Sequence, residues 1–239
     1  LSHQELMCLN ARAISAYTGQ WPASANTELC ANNPDSAAAI ILGSEDAELI
    51  KKIFETYPGD PKILQAYGIY ALKHHDETGK SAVSDALKKD ISNPLNHALL
   101  AMLNINEPER ALRSLETALD LWPNEPEWHA LSADLYAAIG DAKAAEDHIN
   151  QAIKFHPDNA VYWQKNADIQ LQQNDFHEAK TALEKSASYQ SHNPRIWVKL
   201  ADLNRRMGNI EDAFNNMETA SKLSPDDVEI AEQEARFFL

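Results

Sequence analysis

Two short stretches of the chain gather residue types that do chemistry. Residues 79–81 read Gly-Lys-Ser, the end of a phosphate-binding loop, and residues 74–77 read His-His-Asp-Glu, four potential metal ligands in a row. A phosphate loop needs a further glycine five residues ahead of Gly79, so that backbone N–H groups can close around the phosphates. His74 stands there instead, and a turn is the expectation. The histidine cluster lacks the i, i+4 spacing that sets two ligands on one helix face, so it reads as an exposed loop. No GxSxG, HExxH or GxGxxG motif occurs. The chain is read as a non-enzyme with no catalytic, cofactor-binding or metal residues.

What remains is charge placed periodically. Asp134, Asp168 and Asp202 recur at one constant interval, inside Ala-Asp-Leu, Ala-Asp-Ile and Ala-Asp-Leu. Arg195, Lys199, Asp202 and Arg206 follow one another at steps of 4, 3 and 4, which puts all four on one face of a helix, and Lys165 fills the slot of Lys199 one interval earlier. Rows of opposite charge bind and orient charged segments.

The elements that must position these charges follow the same period. Ala145, Ala179 and Ala213 keep the interval of the aspartates, in units covering 126–159, 160–193 and 194–227. Each unit holds two amphipathic stretches around a tight turn, where Gly140, Asn174 and Gly208 suit the left-handed backbone that ends a helix. Small residues such as Ala145, Ala152, Ala182 and Ala220 let helices approach, and Ile149, Leu183 and Met217 fill the space between. Pro157 and Pro225 stop the second helix, whereas the middle unit has Ser191 in that slot and Pro194 later, so its ending should be less sharp. Upstream, Ala111, Leu115, Ala118 and Pro123 mark a unit at 92–125, and a shorter, degenerate one covers 61–91. Residues 1–60 read as a helical region with a degenerate repeat, in which the stretch from Glu45 to Pro61 looks like a second helix without a proper first. Residues 228–239 read as a capping helix that covers the last unit with Val228, Ala231 and Phe238.

In these slots the chain resembles the tetratricopeptide repeat (TPR) family. Trp197, Leu200, Ala201, Ala213, Met217 and Pro225 follow that pattern, as do Trp163, Ala167, Ala179 and Leu183, while Trp128 sits one residue early and Ala133 and Tyr136 restore the register. The resemblance covers roughly 165 residues and implies an all-α, right-handed TPR superhelical solenoid of antiparallel helix pairs, with a concave groove lined by the first helices. It aims Asp134, Asp168 and Asp202 into that groove. Trp128, Trp163 and Trp197 fit packing between repeats better than a recognition stripe. Arg195 and Lys199 resemble the basic pair with which some TPR proteins grip a chaperone's C-terminal carboxylate. The rest of that clamp is absent, since Ala130, Asp134 and Lys165 stand where it places Lys, Asn and Asn.

Composition bounds the partners. The 239 residues hold 36 Asp and Glu against 21 Lys and Arg, a net charge of -15 that repels nucleic acid and anionic membrane at long range. The longest apolar run, Ala-Ala-Ala-Ile-Ile-Leu at 37–42, is too short to span a membrane. Leu1 in place of Met suggests an excised segment. Cys8 and Cys30 match no metal or redox spacing; free thiols would suit the cytoplasm, and a disulfide an extracytoplasmic site. The expected function is a protein-interaction scaffold binding a peptide or helical segment through Asp134, Lys165, Asp168, Arg195, Lys199, Asp202 and Arg206. A regulatory or sensor arm of a larger protein is the alternative, and an oligomerisation module a weaker one.

Overall fold

The structure is a computed structural model that describes residues 31, 33–76 and 78–237. Cys8, Cys30, Glu77 and Phe238 lie outside the described residues. All regular structure among the described residues is α-helical, in thirteen helices: α1 (Pro34–Gly43), α2 (Ala47–Thr56), α3 (Pro61–His74), α4 (Gly79–Lys89), α5 (Pro94–Leu103), α6 (Pro108–Leu121), α7 (Pro126–Ala138), α8 (Ala142–Phe155), α9 (Ala160–Gln172), α10 (Phe176–Tyr189), α11 (Pro194–Arg206), α12 (Ile210–Leu223) and α13 (Val228–Phe237). They form two compact units that meet in sequence between Pro123 and Asn124.

In the unit from Asn124 onward, the starts of α8, α9, α10 and α11 are set by side-chain caps. Asp141, Asn159, Asp175 and Asn193 each accept a hydrogen bond from a backbone N–H of the first turn they precede, satisfying a donor the helix itself cannot pair. Helices α7, α9 and α11 end in turns where Gly140, Asn174 and Gly208 take φ of 83°, 61° and 80°. Ala133, Ala145, Ala167, Ala179, Ala201 and Ala213 are fully buried, so helix backbones pack closely wherever these slots recur. The second helices end at Phe155, Tyr189 and Leu223, in the same register as the buried alanines. The middle ending is therefore as sharp as its neighbours, because Asn193 caps α11 and fixes where the preceding turn must finish.

Residues 228–237 differ from the expected cap. Val228 is 71% exposed and Ala231 is exposed, so neither covers the last repeat. The helix instead seats Ile230, which is 3% exposed and stands one repeat length after the buried Ile196. Asp227 caps it through the amides of Glu229 and Ile230, much as Asn193 caps α11. α13 thus takes the place of a further first helix.

In the unit before Asn124, α1 supplies the first helix ahead of the stretch from Glu45 to Pro61. Ala37, Ile40 and Ile41 of α1 join Ile50 and Ile53 of α2 and Ile63 and Ala66 of α3 in one core. α1 is apolar almost throughout, so it carries little of the alternation by which a helix is read from sequence. Gly79 opens α4 and His74 closes α3, so the Gly-Lys-Ser tripeptide sits in a helical first turn, while of the histidine cluster only His74 is helical and His75 and Asp76 lie in the connecting turn. His75 follows at φ 54°, and Asp76 accepts bonds from the Thr78 amide and the Tyr67 hydroxyl.

Candidate functional site

The periodic charges lie on the first helices α7, α9 and α11, and the structure brings them together in consecutive pairs. Lys165 Nζ donates to Asp134 Oδ2, and Lys199 Nζ donates to both carboxylate oxygens of Asp168 at 2.8 Å. Each lysine follows its aspartate by 31 residues and comes from the next first helix. At the same offset beyond Asp202 stands Gln233, which has no charge to offer. Asp202 turns to its own helix instead, where Arg205 Nη2 lies 2.8 Å from Oδ1 and Arg206 Nε 2.9 Å from Oδ2. Arg195 reaches across to Glu229 of α13 at 3.5 Å. All of these groups keep contact with solvent; the lysine and aspartate side chains of the two inter-helix pairs are 30–51% exposed.

The face is a ladder of ion pairs whose balance shifts from acidic at α7, with Glu127 and Asp134, to basic at α11, with Arg195, Lys199, Arg205 and Arg206. At such exposure each pair is worth about 0.2–1 kcal/mol and weakens with salt. A pair that weak can exchange partners, so an incoming carboxylate could replace Asp168 on Lys199 at little net cost. Arg205, Glu229 and Gln233 belong to the arrangement and were not among the sequence-derived residues. The constant offset from Asp134 to Lys165, repeated from Asp168 to Lys199, was the signal that could have found the pairing.

The acidic end carries a second feature. Glu125 and Glu127, at the start of α7, share a side-chain hydrogen bond, and this, with partial burial, pushes the Glu125 carboxyl up to about 7. Glu127 is held below its ordinary range, first by the bond from Glu125 and more weakly by the Tyr162 hydroxyl. Burial, then the Glu127 charge, pushes the Tyr162 phenol up to about 12. At the other end, a cavity of about 350 Å³ opens among α11, α12 and α13, lined by Val198, Asp202, Arg205, Met217, Gln233 and Phe237. The Arg205 guanidinium lies 6.0 Å from the centre of the Phe237 ring.

Trp128, Trp163 and Trp197 serve packing. Trp128 is 8% exposed, and the partly buried Trp163 and Trp197 each donate an indole N–H to the carbonyl six residues upstream, Pro157 and Ser191, at 2.7 Å. Among the described residues no group of three or more His, Cys, Asp or Glu side chains is placed to hold a metal. Among the same residues no helix is long and apolar enough to cross a membrane.

Repeat register, buried alanines and stacked helix pairs define a helical-repeat protein. The tetratricopeptide repeat profile matches residues 106–169 and 170–237, more than half of the chain, and the chain belongs to that family. Its fold is accordingly an all-α TPR solenoid of antiparallel helix pairs. Among solved structures, the MamA protein is 20% identical with a TM-score of 0.63, over 75% of this chain and 96% of that one. YrrB, described as a TPR protein with an unusual peptide-binding site, is 12% identical with a TM-score of 0.63, over 78% and 97%. TTC0263, a thermophilic TPR protein of Thermus thermophilus, is 16% identical with a TM-score of 0.56, over 75% and 99%. At these identities the likeness is one of fold. A comparison with curated proteins gave no match.

Proposed function

We propose that the chain is a non-catalytic interaction module that holds a segment of a partner protein along the face of α7, α9 and α11. The observation that carries this reading is the ion-pair ladder: Asp134–Lys165 and Asp168–Lys199 repeat one exposed, exchangeable contact at a fixed step, the form in which an extended segment can be read. Glu127 and Asp134 make one end acidic, and Arg195, Lys199, Arg205 and Arg206 make the other basic. A partner would therefore lie in one direction, its basic end toward α7 and its acidic end toward α11, since reversal sets like charges together. The peptide-binding site described for YrrB, a protein of the same fold, supports binding of this type.

The test has two steps. A photo-crosslinking residue at Val198 of α11 should capture the partner, and the same residue at Lys185 of α10 should not. Calorimetry on the captured partner then compares the chain with Arg195→Glu combined with Lys199→Glu. We expect the double reversal to weaken binding far more than either alanine change and the wild-type affinity to fall with salt. Unchanged affinity at low salt would place the binding surface on another face.

A further inference from the structure

In the repeat of residues 126–159, His129 on α7 and His148 on α8 face each other, with their Nδ1 atoms 3.1 Å apart. Tyr136 stacks on the His148 ring at a centroid distance of 5.3 Å, and Phe155 on the His129 ring at 6.2 Å. Both imidazoles are half-buried. The repeat register shows that the pair belongs to this repeat alone among the three. The same two slots hold Trp163 and Ala182 in the next repeat, and Trp197 and Asn216 in the one after. Where those tryptophans reach back to a carbonyl, His129 turns to α8 and meets a second histidine. Packing alone is satisfied in the sister repeat by an indole over an alanine; it does not call for two nitrogen bases aimed at each other.

A neutral imidazole has one N–H and one lone pair. The contact between Nδ1 atoms therefore uses the proton of one ring and the lone pair of the other. If both rings carry their proton on Nε2, two lone pairs point into the same gap. At metal–nitrogen distances of about 2.05 Å, two nitrogens on one ion stand about 2.9 Å apart at a right angle and about 3.3 Å apart at the tetrahedral angle. The observed 3.1 Å falls between these values. We propose that His129 and His148 form a two-imidazole site for a divalent first-row transition ion of the copper, nickel or zinc type.

The rings turn slightly about their Cβ–Cγ bonds so that the lone pairs converge on the ion instead of meeting head-on. The Nδ1 proton moves to Nε2 of the same ring through solvent, so binding by the neutral pair releases no net proton. No third His, Cys, Asp or Glu among the described residues joins the group, and water completes the coordination. Two protein ligands give micromolar rather than nanomolar affinity. Because the ligands come from both helices of one repeat, the ion clamps α7 to α8. α7 also carries Glu127 and Asp134, so the ion stiffens the acidic end of the binding face. The separation of 19 residues, across two helices, explains why no ligand spacing was visible in the sequence.

The sister repeat supplies the control variant. His129→Trp with His148→Ala rebuilds the combination of Trp163 and Ala182 and should keep the helical circular dichroism and the metal-free melting temperature. Chelator-treated chain is titrated with Cu²⁺, Ni²⁺ and Zn²⁺ by calorimetry. Wild-type chain should bind a single equivalent, Cu²⁺ most tightly, with a raised melting temperature, and the double variant should lose about tenfold or more in affinity. A chain with His74→Asn and His75→Asn should keep the site. No saturable binding by wild-type chain, or equal binding by the double variant, overturns the proposal. Should the double variant fold poorly, sub-stoichiometric Cu²⁺ added to wild-type chain should broaden the amide resonances around His129 and His148 first. Broadening that begins elsewhere also overturns it.

Discussion

Glycine does different work in the two units. Before Asn124 two helix glycines make room: a Cβ on Gly68 would lie 2.3 Å from Val83 Cγ2, and one on Gly79 would lie 2.3 Å from Ala71 Cβ, while Gly59, in a turn, bends the chain at φ 80°. After Asn124 glycine bends the chain: Gly140 and Gly208 have nothing within 4 Å of a built Cβ but sit at φ 83° and 80°. Close approach there falls to alanines, all fully buried at the recurring slots. The links between first helices differ as well. Gln65 Nε2 donates to Asn96 Oδ1 at 2.9 Å between α3 and α5, where the later repeats use Asp–Lys pairs. One architecture thus admits a steric or a conformational use of glycine, and a neutral or a charged rung.

The comparison can be broken by substitution. Gly79→Ala should have the largest effect, because Ala71 has no rotamer that withdraws its Cβ and the α3 and α4 backbones must part. We expect a loss toward the upper end of about 1–3 kcal/mol, read by urea denaturation. Gly140→Ala meets no neighbour and should lose only about 1 kcal/mol, the cost of a Cβ in left-handed backbone. Gly140→Asn should lose less, since Asn174 already holds that conformation at φ 61° in the next repeat. Equal losses at Gly79 and Gly140 would erase the distinction.

Smaller effects sharpen the contrast between rungs. A double-mutant cycle on Asp168→Asn and Lys199→Met should give a coupling of about 0.2–1 kcal/mol that vanishes near about 1 M salt. The neutral Gln65–Asn96 rung, probed by Gln65→Met and Asn96→Ala, should keep its coupling in salt. Salt-independent coupling at Asp168 would show that the ladder is not held by charge.

The smallest effect concerns pH. Glu125, raised from its ordinary 4.5 to about 7, binds its proton more tightly in the folded chain than in the unfolded one. Its stabilising contribution is therefore complete below pH 4.5 and lost as pH rises to about 7. Glu127 has the opposite sign, and its contribution is lost only as pH falls through its lowered value, below that window. Between pH 4.5 and 7 melting temperature should decline slightly with rising pH, and Glu125→Gln should flatten the decline. An unchanged slope in that variant would mean that the carboxyl pair does not share a proton.

The repeat can be read from residue spacing alone. Alanines at 145, 179 and 213, turn residues at 140, 174 and 208, and aspartates at 134, 168 and 202 are legible because a helix has a fixed period and each repeat must bury the same face against its neighbours. The spacing also marks Lys165, Lys199, Arg195 and Arg206 as charged-face residues. Tertiary structure alone decided their partners, because an ion pair between first helices depends on how two repeats stack and not on spacing along one helix. It likewise supplied α1, whose near-uniform apolarity erases the periodic signal, and seated α13 by Ile230 instead of Val228 and Ala231. The meeting of His129 and His148 belongs to the same class: two residues on different helices become neighbours only when both helices are docked.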